Sequence, residues 1–352
     1  MAGELVDWDL ATSTGRRLSR PGPALEPAAA DAVVAELRVL AVEAESHVVD
    51  YTKLVPATPD APVAVVDRGD WIDANVAGLR VMSKPLLSKL EGKQPGKIAG
   101  AASRRVSGVQ VGGLLAYLSS KVLGQYEVFG PNAAPGSTGR LLLVAPNIAD
   151  VERRLDVSPR DFRLWVCLHE QTHRVQFTAV PWLRDHLERE LTNFADVTDL
   201  DPSAVAARLR SAAGTLRRRE GVSIVELLQT PEQRIVLDRL QALMTLLEGH
   251  ADQVMDAVGP EVVPSVKAIR ERFERRRDGG SPLDRVVRRL LGLDLKMQQY
   301  RQGGAFVRAV VERVGVSGFN TVWESPQTLP TRKELAAPEA WLTRVLGLTP
   351  AA

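Results

Sequence analysis

Apolar residues recur at three- and four-residue intervals along most of the chain, and strict alternation is scarce. This spacing predicts helices over 27–50, 71–91 and 98–124, the last two separated by the break Gly92 to Gly96. Tyr126 to Phe129 and Arg140 to Ile148 read as two short strands on either side of Gly130 to Gly139, a stretch dense in turn formers. From there on the pattern is helical, with segments at 159–178, 181–195, 202–218, 231–257, 261–277, 282–300, 304–315 and 337–347. Ser158, Pro159 and Asp161 supply a cap oxygen, a first-position proline and an early acid for one helix. Thr230, Pro231 and Gln233 form a capping box for another, which Gly259 and Pro260 end.

The sum is a mainly α protein with a small β-sheet, of the α+β class. Residues 1–25 are rich in Gly, Pro, Ser and Thr without periodicity and read as a mobile or loosely docked arm. With neither an internal repeat nor a linker in view, 26–352 reads as one domain. It comprises a helical layer at 26–125, a hairpin or edge strand at 126–150 and a helical region at 151–352.

Composition narrows the classes. The 352 residues are 45% hydrophobic and 25% charged, as in an ordinary globular protein, and 45 basic against 43 acidic side chains leave a formal charge of +2. The basic clusters Arg208 to Arg219 and Arg270 to Arg277 are interleaved with or flanked by acids and apolar positions, so solvated helix faces explain them and no nucleic-acid partner is expected. One cysteine, Cys167, excludes an intrachain disulfide and cysteine-rich zinc modules, and reads as a small buried hydrophobe. The acidic N-terminus lacks the form of an export signal, and Val106 to Leu123 is too polar for a membrane span, so a cytoplasmic protein without a membrane partner is expected.

The chemistry lies at His169, Glu170 and His173, within the segment read as the 159–178 helix. Two histidines four residues apart stack on one helical face, where both can bind one zinc ion, and Glu170 lies beside them as a general base. Catalytic zinc generally takes three protein ligands, so a further donor is needed. A third histidine six residues after the second is absent, because position 179 is Ala179. His186 could fold back past Pro181 only through a tight turn. Glu248 and Asp252, one turn apart on the 231–257 helix, form the third source: Glu248 as ligand, Asp252 as acceptor for the outer nitrogen of a histidine. His250 falls in the apolar stripe of that helix and reads first as a buried, hydrogen-bonded histidine. His47 and His186 read as surface or packing residues.

Two histidines, a glutamate and a following E-x-x-x-D resemble the gluzincin class of zinc peptidases. More narrowly, Cys167 to Phe177, Leu247 to Asp256 and Leu291 to Tyr300 are similar to the bacterial zincin-like metallopeptidase family, some of whose members carry hydrolase or deazaflavin-coenzyme-biosynthesis labels. The likeness runs over about 30–345 and implies a zincin-like core inside a larger helical domain, with a zinc-type site.

The expected function is a zinc-dependent metallopeptidase acting on a peptide or small amide. Zinc held by His169, His173 and Glu248 would polarise the carbonyl and acidify its water, and Glu170 would carry the proton to the leaving amine. Tyr126, Tyr300 and Arg301 are candidates to stabilise the oxyanion, with His250 a further residue near the substrate. The 140–146 strand, if exposed at an edge, could pair with an extended peptide. The alternative is a binding or regulatory protein that keeps the metal fold without turnover. Glu170 weighs against it, since such a site has no use for a base.

Overall fold

A computed structural model of the protein describes residues 5–57, 61–89, 97–130, 139–198, 229–278 and 293–349. Helices α1 (Trp8–Leu18), α2 (Pro27–Thr52), α3 (Arg68–Ser88) and α4 (Lys97–Ser119) enclose a sheet together with the later α6 (Pro159–Ala179). Its strands are β1 (Val63–Val66), β2 (Gly124–Glu127) and β3 (Arg140–Val144). The strand order is β1-β3-β2, with β1 parallel and β2 antiparallel to β3.

β3 is therefore central, not an edge, which corrects the reading of 140–146 as an exposed strand. Leu141, Leu142, Leu143 and Val144 are all fully buried. Leu142 and Val144 pack with α1, α3 and α4, while Leu143 faces the α2 and α6 core and Leu141 lies with Tyr126. An unbroken apolar run is the mark of a strand covered on both faces, whereas a half-exposed strand alternates. The open edges among the described residues belong to β1 and β2.

The chain turns helical directly after β3. Helix α5 (Ala145–Leu155) carries Pro146 in its first turn, so residues expected to extend the strand instead begin a helix. The N-terminal stretch also departs from expectation. Asp7 caps α1 by accepting from the Leu10 amide at 3.0 Å, and Trp8, Ala11 and Gly15 are buried against the α3 and α4 layer. Three residues at i, i+3 and i+7 form an apolar stripe in a segment whose composition otherwise suggests a loose arm.

Helix α6 (Pro159–Ala179) starts as its sequence dictates, with Ser158 accepting from the Asp161 amide. It is buried almost all round, the mark of a core helix. Arg174 ties it to α2 through Glu45 at 2.6 Å, and Gln171 donates to the Ala41 carbonyl at 2.8 Å. After α7 (Pro181–Asp196) comes α8 (Pro231–Val262), opened by the expected Thr230–Gln233 capping box. It kinks at Gly259, whose φ of 66° only glycine adopts without strain. Helix α9 (Val266–Asp278) follows.

Helix α10 (Leu293–Phe319) kinks at Gly315 and merges two helices expected separately. Two short 3₁₀ turns then lead to α11 (Arg332–Ala336) and α12 (Pro338–Leu346). Residues of α7, α8, α10 and the C-terminal elements share a second core around Phe306, Phe319, Trp323 and Trp341. The helices expected at 202–218 and over 282–292 lie outside the described residues. Among those described, no helix is long and apolar enough to cross a membrane.

Candidate metal centre

His169 and His173 stack one turn apart on α6, and α8 brings Glu248 to the same point. The donor atoms of these three side chains lie within 4.8 Å of one another. The two Nε2 atoms are 3.3 Å apart, and Glu248 Oε2 is 3.6 Å from one and 3.8 Å from the other. Two nitrogens about 2.0–2.1 Å from a tetrahedral zinc stand roughly 3.3 Å apart, so the donor set fits that ion.

The outer atoms fix which nitrogen is free to bind. Gln176 donates to the Leu247 carbonyl at 3.0 Å, which can only accept, so its amide oxygen is the atom turned toward His173. His173 Nδ1 must then donate to that oxygen, at 3.0 Å, leaving the Nε2 lone pair for the cluster. His169 Nδ1 sits 3.3 Å from Sδ of Met255, a weak acceptor, which places its proton on the same outer nitrogen. Gln176 was not singled out by sequence, although it lies only one turn beyond His173.

His250 is the far end of this chain. Its Nδ1 accepts from Gln176 at 2.9 Å, and its ring lies 5.2 Å from Phe319 and 5.4 Å from Trp323. Burial, reinforced by the nearby His173, pushes its pKa down to about 3, so it is the neutral, structural histidine that its apolar stripe suggested.

Glu170 is buried and has no ion-pair partner among the described residues. Desolvation first and the Glu248 charge second push its carboxyl up to about 8. Strand β2 passes directly over it at Gly124. A Cβ there would stand 2.6 Å from Glu170 Cδ, so only a glycine lets the strand come this close. Sequence analysis missed Gly124, whose signal was a glycine at the start of a strand.

The remaining candidates divide. Asp252 lies one turn beyond Glu248, and its backbone carbonyl accepts from Arg270 at 3.1 Å. Tyr126 stacks on Phe177 with ring centroids 5.5 Å apart, and its hydroxyl oxygen accepts from the Gly139 amide, so it is held in packing. Tyr300 and Arg301 belong to α10, but their side chains lie outside the described residues. His186 packs edge-on against Trp182, and Cys167 is fully buried. Of the basic clusters, Arg208 to Arg219 lies outside the described residues. Arg270 pairs with Asp256 at 2.8 Å, and Arg272 donates to the Leu155 carbonyl.

Glycines also set the spacing of the two helices behind Glu248. A Cβ on Gly249 would stand 2.1 Å from the Gly303 carbonyl carbon, and one on Gly303 would meet the Thr245 carbonyl oxygen. α8 and α10 thus touch backbone to backbone beside the carboxylate.

The profile of the zincin-like metallopeptidase family matches residues 6–342. The chain belongs to this family. A crystal structure from Chloroflexus aurantiacus, described as "a putative hydrolase with a novel fold", is 34% identical to this chain. It superposes with a TM-score of 0.71 over 96% of this chain and 98% of that one. No curated protein matches. Family membership implies a divalent metal, and the His169, His173 and Glu248 group could bind one.

Proposed function

We propose that this zincin-like protein is a zinc-dependent hydrolase that cleaves a peptide or another amide bond, with Glu170 as general base. The observation that carries this reading is the meeting of two imidazole nitrogens and one carboxylate oxygen beside a buried glutamate without a counter-ion. His169, His173 and Glu248 would hold a divalent cation, which would supply Lewis acidity at the site.

The protein's own groups do the rest. Glu170 takes the proton of the attacking water and returns it to the leaving amine. It must be ionised to begin, and positive charge at the cluster opposes the burial that raises its pKa. Gln176 holds the His173 ring in its tautomer, and Met255 receives the outer nitrogen of His169, so neither ring is left for Asp252 to orient. The open side of β2 runs past Glu170 and suits an extended chain that pairs with its backbone. Tyr300 and Arg301, a turn before Gly303, are assigned to the negative charge that develops on the carbonyl oxygen.

The test is metal analysis of the purified protein, followed by a broad peptide library with and without chelator, for wild type and Glu170→Gln. Bound zinc and cleavage that chelator abolishes are expected. Glu170→Gln should lower the rate about 10²–10⁴-fold while retaining the metal. Equal products from both proteins would discard the mechanism.

A further inference from the structure

Charge is spread unevenly along a chain that is nearly neutral as a whole. Residues 81–119, from the second half of α3 to the end of α4, hold six basic side chains and one acid, Glu91, whereas the rest of the chain holds 39 basic and 42 acidic ones. Lys89 is spent within the fold, on the Asp196 carboxylate at 3.4 Å and on the carbonyls of Ala195 and Asp196 at 2.7 Å each. Lys84 and Arg105 are exposed, and no acid among the described residues pairs with either of them or with Arg104, whose Nε is buried without a hydrogen-bond partner. The side chains of Lys93 and Lys97 lie outside the described residues.

The same two helices carry apolar side chains outward. Of the eleven large apolar residues that stand exposed among those described, five are here: Val81 and Met82 on α3, and Val106, Val109 and Leu114 on α4, between 37% and 56% exposed. On α4 they belong to one face. Ala102, Val106, Val109 and Gly113 fall at i, i+4, i+7 and i+11, on the same side of the helix, and a Cβ at Gly113 would meet nothing within 4 Å. Elsewhere around the helix, Val111, Leu115 and Leu118 join the core shared with α1 and α3, and Gly108 and Gly112 let α1 approach to backbone contact. α4 is thus fixed from behind and shows solvent an apolar stripe with Arg105 beside it, the reverse of an ordinary surface helix.

We propose that this outer face of α3 and α4 docks on an anionic phospholipid surface. Val81, Val106 and Val109 would enter the boundary between headgroups and chains, and Lys84, Arg104 and Arg105 would meet the lipid phosphates. Binding to such a surface draws on apolar area and positive charge together, and this segment concentrates both. A second copy of the chain is the poorer occupant, because two such faces would bring the same excess of positive charge together. A nucleic acid would answer the charge but gain nothing from aliphatic side chains, which offer no ring for a base to stack on. The expectation of no membrane partner rests on the absence of a spanning segment, and attachment from the side needs none. Through the sheet, α1, α3 and α4 lie against Leu142 and Val144, whereas α6 and its histidines belong with α2 on the side of Leu143, so this surface and the hydrolase reading stand or fall separately.

Co-sedimentation of the full chain with vesicles tests this, using phosphatidylcholine alone and phosphatidylcholine mixed with one third phosphatidylglycerol. Binding to the mixed vesicles, none to the neutral ones and release at high salt are expected. Lys84→Ser/Arg105→Ser should weaken partitioning at least about tenfold, and Val106→Ser/Val109→Ser at least about fivefold. Both pairs change exposed positions, so the melting temperature should stay at the wild-type value. A labelled single-stranded RNA is titrated in parallel. Absence of binding to the mixed vesicles, equal binding to the neutral ones, undiminished partitioning of either double variant, or binding of the RNA in place of the vesicles would each overturn the proposal.

Discussion

Gly124 on β2 lies so close to Glu170 on α6 that an added methyl group would overlap the carboxyl end of the glutamate. Gly124→Ala should therefore push the Glu170 side chain aside while leaving the three metal donors where they are. Peptide cleavage should fall on the order of 10–10²-fold, because a misplacement of about 1 Å is costly. Metal content, measured on the same preparation, should stay at the wild-type value. Loss of metal together with activity would argue for general damage.

Gln176 joins His173 to His250 and the Leu247 carbonyl. Gln176→Leu keeps the bulk but leaves three polar groups without their partner. Removing an outer-shell partner of a metal-binding histidine typically weakens the metal about 10–100-fold. Competition with a chelator of known affinity would measure it. An unchanged metal affinity would mean that the His173 ring is oriented by something else.

His250 predicts how the metal-free protein responds to acid. Its folded-state pKa of about 3 lies below the ordinary 6.5, so the unfolded chain binds the proton more readily. The stability that follows is fully present above about pH 6.5 and is lost as the pH falls toward 3. In chelated protein, urea unfolding from pH 7 to 4 should show a steeper loss for wild type than for His250→Gln. Parallel curves would remove His250 as the cause.

Gly303 packs onto the Thr245 carbonyl with no room for a side chain. Gly303→Ala must part α8 from α10 locally, at a cost of about 1–3 kcal/mol. Denaturant melts should report that loss, and the metal should bind more weakly because Glu248 moves with α8. A stable variant that still binds metal at full strength would show that the crossing is slack.

What sequence could show here was what depends on near neighbours. His169 and His173 share a face by helical period alone, and Ser158 and Thr230 mark helix starts through caps three residues long. Glu248 was reachable because metal chemistry demands a third donor and few acids on a buried helix qualify. Long-range pairing was hidden. β3 is central because β1, about 75 residues earlier, pairs with it in parallel through Val63 and Leu141. α5 was masked because Leu141 to Val144 and the turn at Ala145–Pro146 form one apolar run, and the proline that starts the helix also fits a strand end. Trp8 was overlooked because its helix is short and lies among turn formers. The close approaches at Gly124 and Gly303 leave no periodic trace at all.

At the crossing of α8 and α10 two main chains meet with no side chain between them to absorb a displacement. A tilt of the later helix is then passed undamped to the neighbour of Glu248. The later helix thus bears on the earlier one at a point one residue from the carboxylate that would grip the ion.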